Sequence, residues 1–489
     1  MRLAAAAWLA AGLAVAGCDD GTARTRRLVV DEVTVVSPGL DRGAPVPVAI
    51  EGDRIVAIGA DARPRPGDSV IDGRGRFLTP GLIDGHVHLA SPAGLPSQPP
   101  AELEQVVADY FRQLPRSYLY HGFTTLVDLG LVDRAVFDRF GEAPAHPDLY
   151  HCGPSLPLEQ GYPTVFLPPA LAPRVFPNFL ADPRLAPAPS DTVDHSPEAA
   201  VARAVAAGGI CIKTYYEDGF GDRSDWPTPP LELIRRVRSE SEARHVVLAM
   251  HANAYRAWQF AAAVPADLIV HGMWNWDGQE PNGTDSLPES IRIVLDSVLA
   301  RGIGFMPTLR VIEGIADLFD STFLADPRLG RVVPAGAIAR YRSRASDSYR
   351  AEIAGGAPDR AVMAGLRAGA EGAALVTRYL IARGGRLVFG SDTPSGPTYA
   401  NPPGLNGFLE LERLAAGGVP LDRLLAAATI DAARAFALGS LYGTIEVGKV
   451  ANLLLLAKDP LAAVDAYDAI DAVISRGRAI GRASLAADR

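Results

Sequence analysis

Two histidines, His86 and His88, stand two residues apart in the apolar run 81–89 (GLIDGHVHL). Side chains alternate faces along a strand, so both imidazoles point the same way and make a chelating pair. Lys213 occupies another apolar run, 210–216 (ICIKTYY), on the face it shares with Cys211. An isolated ammonium among apolar neighbours is costly, so this lysine needs an anionic partner or a chemical change. Burial lowers a lysine's pKa, and a neutral amine can add carbon dioxide to give a carbamate, which is anionic and bidentate. A salt bridge is the other solution, and the residues alone leave both open. The 47 basic residues are 44 Arg and three Lys (Lys213, Lys449 and Lys458), so an ordinary surface cation in this chain is written as Arg.

His251 ends the run 246–253 (VVLAMHAN), His271 lies in 268–274 (LIVHGMW), and Asp392 lies in 386–394 (RLVFGSDTP). Imidazole and carboxylate donors gathered from separate strands suit a borderline cation such as zinc. Two such ions a few ångströms apart would lower the pKa of a shared water from about 15.7 toward about 7. A hydroxide bridging them would attack a carbonyl, which is the chemistry of amide hydrolysis.

Positioning these groups requires strands that end together. Eight short apolar runs, the five above with 124–130, 148–153 and 302–309, alternate with helix-length segments such as SPEAAVARAVAAG. That rhythm predicts a parallel α/β sheet closed as a (β/α)₈ TIM barrel over 81–439, with the chemistry at the C-terminal strand ends. Two connections, 154–209 and 310–385, far exceed ordinary loop lengths and are candidate walls or lids. Segments 28–80 and 440–489 read as β-branched runs broken by Gly and turn residues, and they predict a composite β-sandwich domain.

The other polar residues in these runs carry weaker signals. Asp84 and Asp128 read as structural groups that hydrogen-bond strand ends. His121 precedes a glycine at a helix C-terminus, which suits a dipole contact. His151, beside Cys152 at the end of the third run, is either a substrate contact or a packing group. His146, His195 and His245 fall at loop or strand edges.

A formal charge of −9, with 56 acidic against 47 basic residues, excludes the basic surface that nucleic-acid binders need. The partners to expect are a small-molecule substrate and a membrane, with a homo-oligomer left open. Residues 1–17 carry one positive charge, Arg2, and then a 15-residue apolar stretch too short to span a bilayer, as in a secretory signal. The sequence Val15-Ala16-Gly17-Cys18, followed by Asp19-Asp20, resembles a bacterial lipobox, in which the cysteine is lipidated after cleavage. The expected product is a cell-envelope lipoprotein on the periplasmic side of a membrane, with 18–27 as its tether. In that oxidising compartment Cys152 and Cys211 either pair or remain buried core thiols.

The segment Thr79-Pro80-Gly81-Leu82-Ile83-Asp84-Gly85 leading into His86 and His88 resembles the amidohydrolase superfamily. So do 121–130 (HGFTTLVDLG) and 428–456, although Asn452 stands where that pattern usually has aspartate. The resemblance covers nearly the whole mature chain. It implies two divalent metals, most naturally zinc, held by His86, His88, a carbamate on Lys213, His251, His271 and Asp392. It makes Asp392 and Lys213 catalytic, with Asp392 carrying a proton from the hydroxide to the leaving nitrogen.

The strand-four lysine and the GFTT strand are similar to the imidazolonepropionase-related, prolidase-like branch, whose members cleave dipeptides. That likeness offers Arg256, five residues past His251, as a clamp for a substrate carboxylate. Asn253 departs from the aromatic residue often found two past that histidine. Three readings follow. The first is a binuclear hydrolase of a dipeptide or an N-acyl amino acid. The second is a mononuclear cyclic amidohydrolase or deaminase-like enzyme with a structural Lys213. The third is a non-catalytic lipid-anchored binding protein.

Overall fold

A computed structural model describes residues 27–487 apart from 131–132, 186–191, 220–224, 280–285 and 344–346. The signal segment 1–17, Cys18 and most of the tether lie outside the described residues. Among the described residues no helix is long and apolar enough to cross a membrane.

The first strands are β1 (Leu28–Val35), β2 (Val46–Glu51), β3 (Arg54–Ile58), β4 (Ser69–Asp72) and β5 (Phe77–Pro80). The central strands are β6 (Leu82–Val87), β7 (Phe123–Asp128), β8 (Asp148–His151), β9 (Cys211–Tyr215), β10 (Val247–His251), β11 (Leu268–Val270) and β12 (Gly304–Met306). The last are β13 (Leu453–Leu456), β14 (Ile470–Ser475) and β15 (Arg478–Gly481). The two ends of the chain meet where β13 pairs antiparallel with β5, in the order β15-β14-β13-β5-β1-β2-β3 with β4 beside β1. A register shift between Val30 and Val33 lets Val30, Val33 and Val35 enter one apolar core shared with Val48, Ile50, Leu78, Leu453 and Ile474.

The central strands are apolar on both faces, as strands covered by helices must be. They form two parallel sheets, β6-β7-β8 and β12-β11-β10-β9. Single parallel bridges connect the sheets to each other and to 386–394: Leu156 to Thr214, Phe305 to Leu387, and Val87 to Thr393. The structure therefore differs from the expected eight continuous strands, because the last segment contributes isolated bridges and no ladder. Two residues mark the local departure from a regular strand. Asp392 has φ +54°, outside the extended region, and a Cβ at Gly390 would collide with the Met306 sulfur and lie 2.8 Å from that of His86.

The connection from 310 to 385 is largely helical, with Leu329–Val332, Ala335–Arg342, Asp347–Ala354 and the long Asp359–Ala382. The connection from 154 to 209 is mostly irregular until the helix Pro197–Ala206, which Ser196 caps by accepting the Ala199 N–H. Cys152 and Cys211 form a disulfide, which settles the question their sequence context left open.

Candidate metal centre

His86 and His88 leave β6 on one face, as their spacing requires, and their Nε2 atoms lie 3.2 Å apart. Each Nε2 is 3.0 Å from the same oxygen of Asp392, Oδ1. The backbone enforces this meeting: Asp392 N–H donates to the His86 carbonyl at 2.8 Å, and His88 N–H to the Thr393 carbonyl at 2.8 Å. Below the group, Asp84 accepts the Ser391 N–H at 2.9 Å and the Ser391 hydroxyl at 2.5 Å. Burial pushes the Asp84 carboxyl up to about 7 against those hydrogen bonds. Asp128 accepts N–H groups from Leu89 and Gly130 at 2.9 Å each. Both aspartates thus tie strand ends together.

The remaining ligand candidates stand on neighbouring strands. His271 is 5.2 Å from His86 and 4.5 Å from His251, ring centre to ring centre. Its Nδ1 lies 3.0 Å from Thr308 Oγ1 and 3.9 Å from Asp392 Oδ2. Lys213 is 1% exposed, and its Nζ sits 5.5 Å from the Tyr215 ring centre. Burial lowers the lysine to about 7, with the Asp392 charge opposing. Burial also holds His86, His251 and His271 well below the usual histidine range, and the Lys213 charge adds to this at each. They are neutral at physiological pH and offer lone pairs, the state a metal requires.

The donor set fits a divalent cation. Among the described residues, His86, His88 and Asp392 are the group of three whose ligand atoms all fall within 4.8 Å of one another. Two imidazole nitrogens and a carboxylate oxygen converge there, and the buried His86 Nδ1 has no hydrogen-bond partner. Three of the nine non-glycine residues with positive φ among the described residues lie in the same place. His271, Thr308 and Asp392 have φ of +85°, +42° and +54°, a region side-chain-bearing residues seldom adopt.

Two candidates are not drawn into this group. His151 accepts the Gly153 N–H on Nδ1 at 2.9 Å and packs edge-on against Phe137 at 4.9 Å. Arg256 is exposed at the start of the helix Tyr255–Ala263, with its guanidinium 3.8 Å from Asp218. His121 caps the helix Glu104–Tyr120 and stacks on Phe408.

The structure adds residues that sequence spacing did not single out. Glu217, 3% exposed, places Oε2 3.2 Å from His251 Nε2, and burial raises its carboxyl to about 8. Its position two residues past the end of β9 was a legible signal, because an acid there must face the mouth or pair. Tyr162 comes from the connection 154–209 and lies 4.7 Å from the His251 ring, in an aromatic cluster with Tyr215, Phe166 and Trp226. Nothing in the composition of that segment marks the tyrosine.

Residues 77–480 match the family described as the amidohydrolase family. The imidazolonepropionase of Rubrobacter xylanophilus is 38% identical over 84 residues, a stretch covering 14% of this chain and 20% of that protein. The chain thus aligns with only about a fifth of that curated relative's length. A Xaa-Pro dipeptidase crystallised with methionine in its active site superposes with a TM-score of 0.63, at 17% identity, over 93% of this chain and 100% of its own. A prolidase complexed with N-methylphosphonate-L-proline superposes with a TM-score of 0.66, at 20% identity, over the same shares. These two likenesses concern the fold.

Proposed function

The chain belongs to the amidohydrolase family, and from that premise we propose that it is a binuclear metal-dependent hydrolase of amide or peptide-type C–N bonds in a small substrate, a dipeptide or an N-acyl amino acid. In this reading the two parallel sheets and 386–394 close as a (β/α)₈ barrel, with 28–80 and 440–489 as the separate β domain. The observation that carries it is the convergence of His86, His88 and Asp392, with neutral His251 and His271 and a depressed Lys213 on the adjoining strands.

Two zinc ions, with His86, His88, a carbamate on Lys213, His251, His271 and Asp392 as the residues that would hold them, would supply a water ionised near neutral pH and an electrophile for the scissile carbonyl. Asp392 accepts the attacking water's proton and returns it to the nitrogen as the C–N bond breaks and the new C–O bond remains. Neutral His86, His251 and His271 stay ligands and do not compete for that proton. Tyr162 and its aromatic neighbours cover His251 and exclude water from that side. Arg256, at the rim, exchanges Asp218 for a substrate carboxylate.

One observation favours a mononuclear second reading, with Lys213 structural and a cyclic amide or a deaminated ring as substrate: the compact three-donor group includes only His86, His88 and Asp392. Metal counted per chain separates the two readings, two ions against one. Export as a lipoprotein through Cys18 belongs to the same proposal, and a disulfide between Cys152 and Cys211 supports an oxidising compartment.

The test is a screen of dipeptides and N-acyl amino acids with purified protein, zinc and bicarbonate, beside His251→Ala. That variant should lose turnover and keep its fold; full turnover in it would defeat both readings.

A further inference from the structure

A buried carboxylate stands against His251. Glu217 Oε2 lies 3.2 Å from His251 Nε2, its Oε1 accepts the Gly219 N–H at 3.1 Å, and the Asn253 side chain hydrogen-bonds it as well. Asn253 is itself held in place, because its carbonyl accepts the Trp274 N–H at 2.8 Å and the Asn275 N–H at 3.2 Å. Asn253 is also 5% exposed, so this is a built arrangement in the interior.

The contact occupies Nε2 of His251 whichever of the two atoms carries the proton, so the ring nitrogen it leaves open is Nδ1. His86 and His88 do the reverse and turn Nε2 toward Asp392. A histidine ring presents one nitrogen or the other according to the partner of the opposite nitrogen, and such partners hold the ring as well as the tautomer.

We infer that Glu217, braced by Asn253 and Gly219, is a positioning residue that engages Nε2 of His251, fixes the ring and thereby leaves Nδ1 as the nitrogen open to a metal ion. The inference rests on the proposed reading of His251 as a ligand. It also accounts for the departure at position 253: an aromatic ring there would lack the amide that donates to the carboxylate.

The experiment uses full-length protein stripped with a chelator and titrated with Zn²⁺ against a chromophoric competitor, with folding followed by circular dichroism. Glu217→Ala and Glu217→Gln are compared with Asn253→Ala and with His251→Ala. Glu217→Ala should weaken the zinc ion that His251→Ala removes by about tenfold to a hundredfold, with a smaller loss in Asn253→Ala. The near-isosteric Glu217→Gln keeps an acceptor but can turn its amide donors to the ring, and it carries the test if the alanine variant does not fold. Wild-type zinc affinity in both Glu217 variants, with loss in His251→Ala, overturns the inference and leaves the proposed function standing. Unchanged zinc binding in His251→Ala removes His251 from the ligand set, and both fall together.

Discussion

The disulfide between Cys152 and Cys211 joins the segment just past β8 to the first residue of β9, two positions ahead of Lys213. It spans the seam where the two parallel sheets otherwise meet through the single bridge from Leu156 to Thr214 and its accompanying hydrogen bonds. Covalent chemistry holds in register the strand that carries the buried lysine.

Breaking that link should loosen the protein. The cysteines are 59 positions apart, and chain entropy alone puts the stabilisation from closing such a loop at about 4 kcal/mol. Cys152→Ala/Cys211→Ala should therefore unfold at lower denaturant concentration than the oxidised wild type. Coincident unfolding curves would show that the pairing does not contribute to stability.

Lys213→Ala should reduce turnover by about a hundredfold or more, and short-chain carboxylates should return part of it by standing in for the proposed carbamate. Because Lys213 titrates near 7, its neutral amine fraction rises through that pH. Reactivation of stripped wild-type enzyme by zinc and bicarbonate should rise with it. Failure of both acetate and propionate to rescue the variant would count against a bridging role.

Arg256→Ala tests the rim. With dipeptides ending in a free carboxylate, KM should rise by about tenfold while kcat changes little, and the same peptides as C-terminal amides should be unaffected. Equal KM changes for acid and amide would remove Arg256 from carboxylate recognition.

Glu410 accepts the N–H groups of Leu309 and Arg310 at 3.0 and 2.6 Å, at the start of the helix Leu309–Asp317. Complete burial raises its carboxyl to about 8. The unfolded carboxyl ionises near ~4.3, so the folded state binds the extra proton between these values and stability falls as pH rises across that window. Glu410→Gln, which stays neutral, should gain stability relative to wild type from pH ~4.3 to ~8 and then level off. Denaturant unfolding across this range measures the difference, and a flat difference would mean that the carboxyl is ionised in the fold.

Much of the centre was legible because it depends on short-range rules. Period-two alternation puts His86 and His88 on one face, and an apolar run ending in a polar group marks each strand's working end. The strand runs carrying Lys213, His251 and His271 lie where periodicity put them. Glu217 stands past the end of β9, where an acid is legible, but its partner His251 is 34 positions away on another strand, and no local pattern encodes that pairing. Tyr162 lies in a segment whose path is set by packing against Trp226 and Tyr215.

The chain's own order of residues determined the family, the element types and the candidate ligand residues, since these follow from local composition, motif and periodicity. Tertiary structure alone decided that Cys152 and Cys211 pair, that 386–394 reaches β6 through single bridges, and which nitrogen of each histidine faces its neighbours. Those outcomes depend on contacts between distant segments and on backbone angles such as that of Asp392, which exist only once the strands have packed.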